Sequence, residues 1–320
     1  MRDAGRVTAM NEQMVEQTLL DALSASTVTE LARLTGGASR QTWHAVVDGE
    51  RVIAQRQQPE SERDMRVEAA VLRAAEGGGV PAPLVLACVQ APDGVVTLIT
   101  RFVPGETIAR RLLRDEEYSA ARSRLAEQLG RAMARLHRID AGEASGLELV
   151  DELALYRGHL DLHGEPHPTF ELALRWLEER RPSTGRPCIV HGDLRLGNVI
   201  VDHDGLAAVI DWELAHLGDP LQDLGWACVP AWRFGSPLPA AGVGTREQLL
   251  DAYNDEAGTA FTVDELRWWE VFGILRWGVM CITQSQRHLT GSTRSHELAA
   301  IGRRVCENEH DLFVALDGRW

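Results

Sequence analysis

Several features that would place a protein in a membrane or outside the cell are missing from this sequence. None of its apolar runs approaches the ~18 residues that a membrane-spanning helix requires. The five cysteines are scattered and form no C-x-x-C pair, which argues against a zinc site and against a disulfide framework. The N-terminal residues include early acidic side chains and lack the apolar core and cleavage site of a signal peptide. We therefore predict a cytoplasmic protein with no membrane partner.

Positive charge is also scarce. The 320 residues include 33 lysines and arginines against 47 aspartates and glutamates, a formal net charge of −14. Nucleic-acid-binding proteins normally carry a basic surface that neutralises phosphates, so we predict no nucleic-acid partner. No internal repeat or low-complexity segment is present. The length is sufficient for two lobes, and we expect a monomer or a homodimer.

The N-terminal third has the pattern of a small sheet interrupted by one helix. Apolar residues recur at helical spacing over 11–34. Two β-branched runs around Asp48-Gly49 predict a hairpin over 43–57. A segment rich in Ala, Glu, Arg and Leu predicts a helix over 61–75. Two further strands are predicted at 84–90 and 95–103.

The remainder is mainly helical, with a few short strands. The composition changes near Gly105, which predicts an N-terminal lobe over 1–104 and a C-terminal lobe over 105–320. Short strands are predicted at 188–190, 198–201 and 207–210. The predicted helices cover 119–138, 169–181, 246–257, 263–289 and 295–316.

The stretch 188–226 carries the most informative set of side chains. An apolar strand leads into an H-G-D run that ends at Asp193, Asn198 follows shortly after, and a second apolar strand ends on Asp211. Two carboxylates and one amide are thus expected to converge at the ends of adjacent strands. Their oxygens suit Mg²⁺, and a carboxylate left free of the metal can take a proton from an attacking hydroxyl.

This stretch resembles the aminoglycoside phosphotransferase-like (choline-kinase-like) family of small-molecule kinases. It contains the runs H-G-D-L-R-L-G-N, D-W-E-L-A and G-D-P-L-Q-D-L-G, and it is similar in particular to the kinase-like domain of certain acyl-CoA dehydrogenase fusions. The resemblance implies an α+β, protein-kinase-like two-lobed fold with a small β-rich N-lobe and a larger α-helical C-lobe. It also implies Mg²⁺, ATP or GTP as co-substrate, and a small-molecule hydroxyl as acceptor.

The resemblance further assigns roles within this stretch. It implies Asp193 as the catalytic base and Asn198 and Asp211 as ligands of Mg²⁺. His191 is expected to brace the loop through hydrogen bonds. Two further carboxylates are expected to be structural, capping a helix and holding the catalytic loop: Asp219 and Asp223.

The N-lobe is expected to hold the nucleotide. A Gly-rich turn before the first hairpin strand would bring backbone N–H groups close to phosphates, and an arginine would replace the lysine of protein kinases as the phosphate-binding cation. This arginine is expected to pair with a glutamate of the following helix, and the segment 99–103 to bind adenine. The residues predicted to bind the nucleotide are Gly36, Gly37, Ser39, Arg56, Glu68, Arg101 and Val103.

Two alternatives and the acceptor stay open. A non-catalytic nucleotide-binding pseudokinase would keep the fold without turnover, and a metal-dependent hydrolase would use His191 with the two carboxylates. The family resemblance favours a hydroxyacyl or CoA-linked acceptor over an aminoglycoside-like one, whereas the negative charge favours a cationic acceptor. Arg276 and His288, in the predicted helix 263–289, are candidates for the acceptor pocket.

Overall fold

Five antiparallel strands form the first part of the protein. The computed structural model describes residues 2–34, 40–58, 63–182 and 185–319. The strands lie in the spatial order β1-β2-β3-β5-β4. Their bounds are β1 Val28–Arg33, β2 Gln41–Val47, β3 Glu50–Arg56, β4 Val85–Gln90 and β5 Val96–Arg101.

The predicted hairpin at Asp48-Gly49 joins β2 to β3. Both turn residues have positive φ, 46° for Asp48 and 88° for Gly49, as a two-residue type I′ turn requires. The Asp48 carboxylate also accepts backbone N–H groups of Ser26 and Thr27 at 3.0 and 2.8 Å. The turn is thereby tied to the segment that leads into β1.

Two helices cover this sheet, α1 Arg2–Leu23 and α2 Met65–Gly77. Val15 and Leu19 of α1 pack on one face of the sheet, while α2 packs against β4 and β5. The prediction of helical structure over 11–34 was correct only as far as Leu23, because the chain then turns and enters edge strand β1.

The second part of the protein is mainly helical. The long helix over 263–289 has the predicted bounds, with a capping box formed by Thr262 and Glu265. The predicted helix over 295–316 is instead two helices that are interrupted at 303–304. The helices are α3 Ala109–Arg114, α4 Ser119–Arg138, α5 Glu152–His163, α6 Pro168–Glu179, α7 Leu221–Cys228, α8 Arg246–Ala257, α9 Val263–Leu289, α10 His296–Gly302 and α11 Val305–Leu316.

Two apolar clusters hold the helices together. Helix α4 packs against α8, and its buried Leu125, Leu129 and Leu136 belong to a core that extends into α2 and β5. Helix α9 is the centre of the second cluster, surrounded by α5, α6, α7 and α11. Each fully buried leucine contributes about 1.5–3 kcal/mol relative to an exposed one. Among the described residues, no helix is both long and apolar enough to cross a bilayer.

Two short antiparallel sheets lie between these helices and carry the candidate site. They pair β6 Cys188–Val190 with β9 His216–Gly218, and β7 Val199–Asp202 with β8 Gly205–Val209. A small antiparallel sheet followed by a larger helical part confirms the predicted kinase-like two-lobed architecture. The lobe boundary at 104/105 stays a prediction.

Candidate active site

A tight turn after β6 presents the H-G-D run. Gly192 has φ of 80°, and a Cβ there would lie 2.4 Å from the Leu214 carbonyl oxygen, so only glycine fits. His191 is fully buried, with its Nε2 3.0 Å from the Ile210 carbonyl oxygen and its Nδ1 accepting the Asp193 N–H at 3.1 Å. His191 therefore braces the loop, as predicted.

A buried carboxylate on α7 holds the same turn from behind. Asp223 accepts the backbone N–H groups of His191 and Gly192 at 2.7 and 2.8 Å and lies 3.1 Å from His137 Nε2. Burial alone would raise the pKa of Asp223, but the contacts with His137 and the His191 N–H lower it below its ordinary value. The predicted loop-holding role of Asp223 is borne out by these contacts. Asp219 accepts the Leu221 N–H at 2.9 Å, in the first turn of α7.

Three donors fix the carboxylate of Asp193. Trp226 Nε1 donates to Oδ1 at 2.7 Å, Asn198 Nδ2 donates to Oδ2 at 2.7 Å, and Arg195 Nε lies 3.2 Å from Oδ2. The side chain is 15% exposed, so the carboxylate is held in one orientation while it stays open to solvent. That combination is what a general base for a bound substrate requires.

Asp211 lies beside Asn198. The Ile210 N–H donates to the Asn198 carbonyl oxygen at 2.9 Å, and Asp211 itself is left-handed, with φ of 67°, a conformation that aspartate tolerates better than most residues. Burial, and then the negative charges of Glu213 and Asp193, raise the pKa of Asp211. A carboxylate placed among other carboxylates is stabilised in its ionised form by a bound cation.

The donor set of these two residues fits Mg²⁺. Because Asn198 directs its Nδ2 toward Asp193, its Oδ1 is the atom left to accept a metal. Within the described ranges, no group of three His, Cys, Asp or Glu side chains is placed to hold a metal ion. A metal at Asn198 and Asp211 would therefore take its remaining ligands from water and substrate phosphates, as Mg²⁺ commonly does.

A cleft of about 580 Å³ lies between the five-stranded sheet and the two candidate metal ligands, a volume typical of small-ligand sites. Arg101 and Val103 line its rim, whereas Asn198 and Asp211 line its floor. The part that these two rim residues play in binding adenine stays a prediction. The predicted phosphate-binding turn with Gly36, Gly37 and Ser39 lies outside the described residues.

The predicted ion pair between Arg56 and Glu68 is wrong. Arg56 pairs with Asp93, and Glu68 pairs with Arg40 at 2.5 Å. The reason is the alternation of side chains along β3. Val52, Ala54 and Arg56 of β3 are buried on the side away from the cleft, and the residues between them line the cleft.

Of the two acceptor candidates on α9, Arg276 is enclosed by other side chains, whereas the role of His288 stays a prediction. Arg276 is 2% exposed and lies 4.2 Å above the ring of Trp226, with its Nε donating to the Tyr156 hydroxyl. It therefore supports the tryptophan that contacts Asp193 instead of lining an open pocket. His288 Nδ1 accepts the Ser295 N–H at 3.1 Å near the end of α9.

Sequence reasoning missed three residues of the site. Arg40 and Glu213 form an ion pair at 3.1 Å, and Trp226 contacts the carboxylate of Asp193. Strand alternation could have found Arg40, since it lies two residues before the cleft-lining Thr42. Nothing in the local sequence marks Trp226 as different from the other tryptophans.

Comparison with known proteins agrees with this geometry. A family model described as "Phosphotransferase enzyme family" matches residues 30–269, which include most of the five-stranded sheet, the turn that carries Asp193 and both candidate metal ligands. The chain belongs to this phosphotransferase family. It is also 24% identical over 303 residues to mouse (Mus musculus) acyl-CoA dehydrogenase family member 10, covering 86% of this chain and 28% of that protein. The chain thus spans less than a third of that relative's length.

Solved structures of this fold superpose over nearly the whole chain. A Ralstonia eutropha JMP134 protein crystallised as a candidate aminoglycoside phosphotransferase has a TM-score of 0.75 at 19% identity, covering 96% of this chain and 98% of that one. The GDP complex of aminoglycoside 2′-phosphotransferase-IIIa has a TM-score of 0.65 at 15% identity, covering 94% and 99%. At these identities the likeness establishes the fold of this phosphotransferase family member and leaves its substrates to be proposed.

Proposed function

We propose that this protein transfers the γ-phosphoryl group of ATP or GTP to a hydroxyl of a small molecule, with Mg²⁺ bound at Asn198 and Asp211. The observation that carries the proposal is the carboxylate of Asp193, held by three donors and open to solvent, beside two oxygen ligands on the floor of the cleft. The GDP complex of a structural neighbour supports a nucleotide as co-substrate.

Each residue has a defined part in this reaction. Asp193 orients the acceptor hydroxyl and takes its proton as the oxygen bonds to the γ-phosphorus and the bond to the nucleoside diphosphate breaks. Bound Mg²⁺ would neutralise negative charge on the transferred phosphoryl group. Asn198 keeps the Asp193 carboxylate aimed through its Nδ2. Positioning of the reactants and stabilisation of the charge in the transition state are expected to supply most of the rate enhancement.

The acceptor is proposed as a class. Similarity to an acyl-CoA dehydrogenase family member supports hydroxyacyl or CoA-linked compounds, and the structural neighbours support aminoglycoside-like compounds. Both classes offer a hydroxyl that Asp193 would deprotonate. A panel of acceptors from the two classes, with ATP and with GTP, is therefore the first screen.

The test compares Asp193→Asn with wild-type protein on the acceptor that turns over. We expect a loss of at least about 100-fold in kcat, since a positioned base contributes this much or more, and little change in nucleotide affinity. Asp204→Asn, in the exposed turn between β7 and β8, is the matched control. Turnover of Asp193→Asn at the wild-type rate would refute the mechanism. Mg²⁺-dependent nucleotide binding without turnover on any acceptor would instead favour the pseudokinase alternative.

A further inference from the structure

The cleft needs a cation for nucleotide phosphates, and β3 does not provide one. Ile53 and Gln55 are the β3 residues that line the cleft, and an amide is neutral. Arg56, the next residue, is buried on the other side of the sheet, where it pairs with Asp93. A side chain cannot reach the opposite face without a register shift of the whole strand.

Arg40 lies on the correct face. Thr42 of β2 pairs with Gln55 of β3, and both line the cleft. Arg40 is two residues before Thr42, so in an extended chain their side chains point to the same face. Arg40 itself lines the cleft together with Asn198 and Asp211. The described arginines that line this cleft are Arg40, Arg101 and Arg195.

The other two arginines are placed for other contacts. Arg195 bonds the catalytic Asp193 at 3.2 Å, and Arg101 is a half-exposed residue of the rim that lies 3.6 Å from Glu50. Arg40 is the one of the three that contacts α2, through the buried Glu68 at 2.5 Å.

We propose that Arg40 is the cation that binds the nucleotide phosphates, anchored by Glu68, and that Glu213 holds its second terminal nitrogen until a phosphate displaces it. Glu68 is 4% exposed, whereas Glu213 is 31% exposed and lies 3.1 Å from Arg40 Nη2. A buried partner is costly to separate from its charge. A solvent-accessible partner is held weakly and exchanges readily. This inference rests on the proposed function and names the phosphate-binding residue of that site.

The test measures nucleotide affinity and does not depend on finding the acceptor. Binding of AMP-PNP and GMP-PNP with Mg²⁺ is titrated calorimetrically to wild type, Arg40→Met and Arg56→Met, which remove equal charge from the two faces of the sheet. Arg40→Met is expected to raise Kd at least about tenfold, since charge-assisted phosphate contacts contribute this much. Arg56→Met is expected to leave Kd within about twofold of wild type.

Glu213→Gln supplies an independent arm. Neutralising a competitor for Arg40 is expected to tighten nucleotide binding, and the gain should disappear in the double variant Arg40→Met/Glu213→Gln because it acts through Arg40. Arg40→Met could destabilise the N-lobe by leaving the buried Glu68 without a partner. In that case the double variant Arg40→Met/Glu68→Gln, which removes the buried charge as well, is titrated instead of Arg40→Met.

The outcomes separate this inference from the proposed function. If wild-type protein binds neither analogue, the proposed function fails. If wild type binds and Arg40→Met binds equally well, the assignment of Arg40 is overturned while the proposed function stands. An equal loss in a folded Arg56→Met variant would also overturn it, and a gain in Glu213→Gln that persists without Arg40 would overturn the exchange with Glu213.

Discussion

Asp223→Asn should destabilise the protein because it removes the charge that holds the turn carrying Asp193. The carboxylate is fully buried and accepts the N–H groups of His191 and Gly192 through its two oxygens, with His137 Nε2 3.1 Å away. Asparagine is nearly isosteric but keeps one oxygen. Its amide NH₂ must therefore face either the Gly192 N–H or both the His191 N–H and His137 Nε2.

The magnitude follows from these contacts. A hydrogen bond to a charged group contributes about 1.5–3 kcal/mol and a neutral one about 0.5–1.5 kcal/mol. The variant loses at least one charge-assisted bond and weakens the others, whereas it no longer pays the desolvation penalty of a buried charge. The net loss of stability is about 2–4 kcal/mol. We expect Asp223→Asn to lower the free energy of unfolding by this amount and to reduce kcat, since the turn carries Asp193.

Urea unfolding followed by tryptophan fluorescence measures the effect. Asp251→Asn, on the exposed side of α8, is the control, and its free energy of unfolding should stay within about 0.5 kcal/mol of wild type. A loss below about 1 kcal/mol in Asp223→Asn, which is less than one charge-assisted bond is worth, would show that Asp223 does not hold the turn and would refute the reasoning.

Three further outcomes are expected. Trp226→Phe removes the 2.7 Å bond to Asp193 and should lower kcat about tenfold, the equivalent of ~1.4 kcal/mol, with nucleotide Kd unchanged; an unchanged kcat would contradict the positioning role. Gly192→Ala places a Cβ 2.4 Å from the Leu214 carbonyl oxygen at φ of 80° and should cost more than about 1 kcal/mol of stability in the same urea assay. Because the pKa of Asp223 is lower in the folded protein than in the unfolded chain, its full contribution to the free energy of unfolding is present above the unfolded-state pKa. That contribution is lost as pH falls through the folded-state pKa. The stability of wild type should thus decline below about pH 4 more steeply than that of Asp223→Asn, as unfolding at a series of pH values would show.

Much of the helical lobe could be predicted because its signals are local. Helix α8 begins at a capping box formed by Thr245 and Gln248 and ends before Gly258, which is left-handed. Helix α9 begins at the corresponding pair Thr262 and Glu265. Such caps satisfy the first backbone N–H groups wherever the rest of the chain lies. The H-G-D run with the following asparagine and aspartate was equally local, and the structure brings those residues together.

The errors arose where the outcome depends on distant contacts. In residues 28–33, buried and exposed side chains do not alternate as they do in a typical strand. This segment forms β1 through its antiparallel backbone pairing with β2. The interruption between α10 and α11 directly follows Gly302, a residue type that weakens helices locally, and the prediction of one helix over 295–316 did not use it. The wrong choice of Arg56 as the partner of Glu68, which instead pairs with Arg40, has a different cause. Side chains on a strand alternate between faces, so a displacement of a single position along β3 moves a residue out of the cleft.

The position of the proposed base, Asp193, depends on two side chains of α7. Asp223 and Trp226 are three residues apart on this helix and therefore share a face. The first holds the backbone of the turn before Asp193, and the second holds the side chain of Asp193. Arg276 of α9 packs on the ring of Trp226 at 4.2 Å and is itself fixed by Tyr156 of α5. A displacement of α9 would thus reach Asp193 through a single tryptophan. Helix α9 can thereby affect the orientation of the proposed base, Asp193, although none of the described contacts joins a side chain of α9 directly to Asp193.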